Sequence, residues 1–281
     1  MSTGRLFLLT ALAMIAFAGN SLLCRVALRD TPIDAASFTA LRLISGALML
    51  WLILVLRGQR GAHRGSWTSA CALFAYAALF SWAYIDLDAG TGALILFGAV
   101  QATMIGYGLY RGERFTPLKW TGLLLALGGL TGLMLPGLTA PPLLAALLMA
   151  GAGIAWGVYS LRGRGNSHPS LATAGNFLLA VPFALALALL THLGPGLAPD
   201  PAGALWAIAS GALASGVGYL IWYAALPHLS STNAATIQLS VPVIAAVAGV
   251  LLLSEPITLR LVLASAAILG GIALVIRQRA V

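Results

Sequence analysis

A chain of 281 residues that is 60% hydrophobic and only 8% charged, with a mean hydropathy of +0.97, is not a soluble domain, in which about a quarter of the residues carry charge. Its net charge of +8 would suggest nucleic acid in a soluble protein, but here the cations lie in short breaks between apolar runs and read as topology signals. Cys24 and Cys71 both fall inside apolar runs, so no disulfide framework is implied.

A helix rising about 1.5 Å per residue needs about 20 apolar residues to cross ~30 Å of hydrocarbon. Ten such runs follow one another: 6–28, 35–56, 67–87, 91–110, 117–135, 142–161, 170–192, 202–225, 232–253 and 257–276. The first starts after Arg5 and carries Asn20, Arg25 and Arg29 in place of the small-residue cleavage pattern of a signal peptide. It reads as a retained helix with Asn20 and Ser21 at depth and Arg25 close enough to its end to be solvated. In the second run Arg42 lies too deep for an idle charge, since a charge inside the bilayer costs several kcal/mol. Two readings stand. The guanidinium holds a substrate carboxylate in a bidentate pair, or it snorkels outward or pairs with Asp34 or a free carbonyl.

The third run places Tyr76, Phe80 and Tyr84 four residues apart on one face. The fourth carries Gln101 and Thr103. The fifth and tenth have almost nothing polar in their middles and are expected at the periphery. Trp156 lies well inside the sixth, Asn176 and Pro182 in the seventh, and Ser215, Tyr219, Trp222 and Tyr223 make a ring stripe in the eighth. Either the rings line a cavity, or Tyr84, Trp222 and Tyr223 form an interfacial belt and the rest are packing. The ninth run has Gln238 and Ser240, then Pro242 near its centre, where a kink or hinge is expected. Buried amides face one another or water, so Asn20, Gln101, Asn176 and Gln238 together imply a polar interior. Gly128/Gly132, Gly153/Gly157, Gly211/Ser215 and Ala267/Gly271 are small-xxx-small pairs suited to close helix contacts.

Residues 83–134 return 142 positions later as 225–276. Leu87 falls on Leu229, Ala93 on Ala235, Ile95 on Ile237 and Leu109 on Leu251. The polar matches weigh more: Glu113 on Glu255, Thr116 on Thr258, and Gly128-Gly129 on Gly270-Gly271. The halves are residues 1–136 and 137–281, one integrated membrane domain. Each holds five runs, an odd number, so the second copy enters the membrane the other way up, a construction typical of transporters. Arg5, Arg57, Arg60, Arg64, Arg111, Arg114, Lys119, Arg162, Arg164, Arg277 and Arg279 all fall on one side of a ten-helix arrangement. The positive-inside rule makes that side, with both termini, cytoplasmic.

Every Asp and Glu lies at a run's end or in a loop, so a carboxylate relay for protons is not evident, and His63, His168, His192 and His228 are likewise peripheral. No metal-binding motif or nucleophilic serine motif appears, which argues against an enzyme; no metal and no cofactor are expected.

The order of these features resembles the ten-helix exporters of the drug/metabolite transporter superfamily. The resemblance is carried by Pro242-Val243 through Ser254-Glu255-Pro256-Ile257-Thr258 to Gly270-Gly271, echoed by Gly19-Asn20-Ser21, Arg42 and Arg111-Gly112-Glu113. The first copy departs from it, with Val100-Gln101 where the second has Pro242-Val243. The resemblance implies an all-α, multi-pass protein of the cell inner membrane working by alternating access. Within the superfamily the ring-rich interior is most similar to the bacterial aromatic amino acid exporters of the YddG type. It points to a substrate cavity of Asn20, Tyr76, Phe80, Gln101, Trp156, Ser215, Tyr219 and Gln238, with Arg42 as the carboxylate-binding candidate and Pro242 as hinge. The partners expected are a small molecule and the bilayer, not nucleic acid, around a monomer. Export of amino acids, aromatic ones first, by facilitated diffusion leads the functional readings. Other amino acids or flat hydrophobic cations, with proton coupling, come second. A non-transporting scaffold or enzyme is the third.

Overall fold

The computed structural model describes residues 1–59, 65–112, 116–135, 137, 140–163, 168–191, 200–229 and 237–277. The expectations placed on Arg60, His63, Arg64, Glu113, Arg114, Arg164, His192, Ala235 and Arg279 lie outside those residues.

Among the described residues the chain is helical, with no strand. Its helices are α1 (Thr3–Asp30), α2 (Ala35–Leu56), α3 (Trp67–Ala83), α4 (Ala89–Tyr110), α5 (Pro117–Met134), α6 (Leu143–Gly163), α7 (Pro169–Thr191), α8 (Pro201–His228), α9 (Ser240–Leu253) and α10 (Leu259–Arg277). Six of them, α1, α2, α4, α6, α7 and α8, are long and apolar enough to cross a membrane; α3, α9 and the Leu259–Leu274 part of α10 are shorter apolar helices. The backbone turns where a polar side chain meets the unpaired donors of a first helical turn. Asp34 accepts from Ala36 N and Ser37 N at 2.9 Å each, Ser66 from Ser69 N at 3.2 Å, Thr116 from Lys119 N at 3.4 Å and Asp200 from Gly203 N at 3.1 Å. Pro117 and Pro201 follow two of these caps, at positions where a missing N–H loses no intrahelical bond.

Two boundaries depart from the sequence reading. The third run stops at Ala83, and the chain turns through Tyr84–Leu87 with Leu87 N bonded to Ala83 O at 3.1 Å. The ninth run is interrupted at Leu239, between helical Ile237–Gln238 and α9, so Pro242 sits in the first turn after the break, where its absent N–H leaves Gln238 O without that partner.

The packing partners follow a rule. α1 lies against α8 and α9, and α6 lies against α3 and α4; α2 touches α8 as α7 touches α3. α2 packs on α7, α4 on α9 and α5 on α10. Exchanging each helix for the one five places on maps this set onto itself. The α5–α10 pair meets the rest of the bundle through α4, in keeping with its apolar character.

Glycines set the close approaches. A Cβ on Gly153 would come within 2.5 Å of Leu96 O, and one on Gly157 within 2.8 Å of Thr103 Cβ, so α6 rests directly on α4. At α5–α10 the contact glycines are Gly129, against Ala267, and Gly271, against Gly122 O and Ala126 N, two positions one repeat offset apart. Gly128, Gly132 and Gly270 face open space, which corrects the expected Gly128/Gly132 pair. In α8, Gly211 lets the backbone ride on the Arg42 carbonyl and Ser45 Oγ of α2, and residues Ser210–Val217 wind as a π-helix.

Candidate functional site

Arg42 is seven residues inside α2, about 10 Å from its start, and only 2% exposed. It neither snorkels nor bonds to Asp34, whose carboxylate caps α2. Its Nη2 donates to Tyr76 Oη at 3.0 Å and its Nε to Ser215 Oγ at 3.4 Å. The guanidinium carbon stands 5.0 Å from the Tyr76 ring centre and 4.9 Å from that of Phe80, within cation–π range. Among the described residues no carboxylate pairs with it, and its Nη1 has no hydrogen-bond partner. The charge is thus held by hydroxyls and rings, with one donor to spare.

Tyr76 Oη joins this charge to α1 and α8. It accepts from Asn20 Nδ2 at 3.2 Å as well as from Arg42, and Asn20 Oδ1 accepts from Ser210 Oγ at 2.6 Å. Ser210 and Ser215, five residues apart, serve the same cluster because the π segment repeats every five residues along its ladder.

The rings close over this cluster. Trp156 lies 4.9 Å from Tyr76 and 5.1 Å from Tyr219; Phe80 is 5.3 Å from Tyr76; Phe177 and Phe17 approach Tyr219 at 5.9 and 5.8 Å. The cavity left among Phe17, Asn20, Tyr76, Phe80, Trp156 and Tyr219 measures about 20 Å³, room for one water. Tyr84 and Trp222 are buried, so the interfacial-belt reading does not hold for either; Tyr84 Oη donates to Ala89 O at 3.3 Å.

At the end of the bundle carrying the α3–α4 and α9–α10 turns, a seal crosses the same axis. Arg25, near the end of α1, is half-buried and held by protein partners. Its Nη1 donates to Tyr84 O at 3.1 Å and Ile85 O at 2.6 Å, its Nη2 pairs with Asp88 at 3.6 Å, and its Nε lies 3.7 Å from Glu255 Oε1. Both Glu255 oxygens accept from Ala89 N, the start of α4, at 2.9 Å. Gly249 makes room for this carboxylate, since a Cβ there would overlap Glu255 Oε2. Burial raises the Glu255 carboxyl above the ordinary 4.5, outweighing the pull of Ala89 N–H; Asp88 adds to the rise, and Arg25 and Arg29 oppose it. Arg29 Nη1 also donates to Leu253 O at 3.1 Å, tying α1 to α9.

The structure therefore gathers Asn20, Arg42, Tyr76, Phe80, Trp156, Ser215 and Tyr219. Gln101 is buried on α4 and Gln238 half-buried just before α9; neither lines the central cavity or bonds to the cluster. Pro242 opens α9, on the wall of an apolar groove between α4, α9 and α10. Phe17, Ser210 and Phe177 join the site unforeseen, although Phe17 is one helical turn from Asn20 and so on its face.

Helices of membrane-spanning length packed around a buried polar cluster define a multi-pass membrane protein that handles a small molecule. The EamA-like transporter family matches residues 5–135 and, a second time, residues 143–277, and the chain belongs to that family. An uncharacterized protein of Pseudomonas aeruginosa is 58% identical over 280 residues, 99% of this chain and 97% of that one. An uncharacterized transporter of Archaeoglobus fulgidus is 26% identical over 260 residues, 88% of this chain and 89% of that one. A solved crystal structure superposes with a TM-score of 0.67 at 20% identity, over 95% of this chain and 96% of that one, a likeness of fold alone.

Proposed function

We propose that the chain exports amino acids, aromatic ones first, across the cell inner membrane by alternating access and facilitated diffusion. The observation that carries this reading is Arg42, a buried guanidinium with a spare donor set against Tyr76, Phe80 and the Trp156 cluster. A substrate carboxylate takes the charge-assisted bonds, and the substrate ring takes the space Trp156 fills between Tyr76 and Tyr219. The α-ammonium group then rests on ring faces. A cationic dye would meet Arg42 without a compensating carboxylate, which disfavours that substrate class.

Two inverted five-helix repeats, 1–136 and 137–281, underlie the cycle, in a monomer with both termini cytoplasmic. The double family match, the exchange symmetry of helix contacts and the equivalent glycines Gly129 and Gly271 support this arrangement. The Arg25–Glu255 seal faces outward in this topology. Counterflow in proteoliposomes against a panel of amino acids and cationic dyes tests the substrate; accumulation of dyes alone would sink the amino acid reading. Single cysteines at Gln59 and Asp86, both exposed, should label from opposite faces. Gly90 is unsuitable for this, because a Cβ there would lie 2.7 Å from Ala246 Cβ.

A further inference from the structure

A polar-lined space larger than the central one lies away from the cluster. Between the start of α3, the end of α6, the start of α7 and the end of α8 opens a cavity of about 160 Å³, against about 20 Å³ at the centre. It lies at the bundle end opposite Glu255.

Its wall is one connected hydrogen-bond chain. Arg162 Nε donates to Ser69 Oγ at 3.1 Å, and Ser66 Oγ donates to the same oxygen at 2.8 Å. Ser66 N donates to Asn176 Oδ1 at 2.9 Å, and Asn176 Nδ2 donates to Tyr159 Oη at 3.4 Å. Ser69 Oγ thus accepts twice, which leaves its own proton to donate to a ligand. Ser69, Tyr159 and Asn176 are buried, and among the described residues no acidic side chain lines the cavity. Among the described residues this polar wall holds one cation, Arg162, and no anion, which is complementary to a small carboxylate.

The two spaces are separated by a ring pair. Trp156 lines the central cavity and Tyr159 lines this one, and the rings stack at 5.4 Å with planes 28° apart. A molecule in the outer space of this pair touches the central site only when the pair parts.

We infer that this vestibule is a second binding subsite, which takes the carboxylate of an amino-acid-sized substrate on Arg162, Ser69 and Asn176 before the substrate passes Trp156 and Tyr159. The inference rests on the transport reading but has a readout that does not. In purified full-length protein, thermal stabilisation is titrated with three probes: 3-phenylpropionate, phenethylamine and L-phenylalanine. The two carboxylates should stabilise the wild type and the amine should not. Arg162→Gln should raise the half-saturating concentration of 3-phenylpropionate about tenfold or more, the lower end of one hydrogen bond to a charged group, and Arg162→Lys should recover part of it. Asn176→Ala gives a second, uncharged perturbation, with a smaller rise expected. An unchanged midpoint in both Arg162→Gln and Asn176→Ala, stabilisation by phenethylamine equal to that by 3-phenylpropionate, or no stabilisation by any probe would each overturn the subsite. Absence of amino acid counterflow in wild-type vesicles would instead remove the transport reading, while the titrations still decide whether the vestibule binds carboxylates.

Discussion

Removing the Tyr76 hydroxyl perturbs the cluster at its node. Tyr76→Phe deletes the acceptor of two buried donors, Asn20 Nδ2 at 3.2 Å and Arg42 Nη2 at 3.0 Å, and leaves the ring stack in place. A donor stranded in a soluble core costs about 1–3 kcal/mol. Inside a membrane the unfolded reference state also finds partners, and interhelical bonds average about 0.6 kcal/mol with a maximum near 1.7. The Asn20 bond belongs near the mean and the bond from a charged guanidinium near the maximum, so the sum is about 2 kcal/mol. A water in the adjoining 20 Å³ cavity can take over one donor and lower the loss towards about 1 kcal/mol. Equilibrium unfolding in mixed micelles reads this directly. The double variant with Asn20→Val should then lose less than the two single losses added, because both changes remove one shared bond. A Tyr76→Phe protein within about 0.3 kcal/mol of wild type, or strictly additive losses, would refute the node.

Trp156→Ala should raise half-saturation for tryptophan and phenylalanine several-fold, about the 0.5–1.5 kcal/mol of a ring pair, with little change for small amino acids; equal loss across a transport panel would leave Trp156 as packing. Gly271→Leu should separate α5 from α10, since its first side-chain carbon would already lie 2.5 Å from Gly122 O; lower thermal stability with unchanged substrate ranking is the expected pattern. For Glu255 the sign follows from its raised pKa. The sealed state holds a proton more tightly than a hydrated, open one with the ordinary value of 4.5, so protons favour closure and the seal weakens as pH rises through the raised value. Acidifying the Glu255 face from neutral pH should therefore slow counterflow, and Glu255→Gln should flatten that profile; a wild-type rate that rises with acid would reverse the assignment.

Much of this was legible because apolar length and buried polarity are one-dimensional signals. Arg42 stood out since nothing in an apolar helix excuses a guanidinium, and Tyr76 and Phe80 shared a face by spacing alone. The partners of Glu255 and Arg25 were not legible, for the complementary reason. Sequence places both near helix ends, as the structure does, but only the fold brings the α9–α10 turn against Ala89 and Arg25. Ser210 was invisible because a period of 3.6 does not align it with Ser215; the π segment does. The glycine contacts show the same limit. Gly128 and Gly129 are equivalent letters, and the rotation of α5 against α10 selects the second.

Arg42 also bears on leakage. The cluster sits on the course that the proposed cycle offers to a substrate, and an idle carrier must keep that course closed to protons and alkali ions. A fixed guanidinium without a carboxylate partner among the described residues does this electrostatically. A monovalent cation about 5 Å away is repelled by roughly 3 kcal/mol at an effective dielectric constant of about 20. That lowers its occupancy by about two decades. The charge proposed to hold a carboxylate during transport would thus insulate the empty protein between cycles, much as a pore arginine excludes cations, and Arg42→Met vesicles should acidify faster than wild type under an imposed pH gradient; an equal rate refutes the barrier.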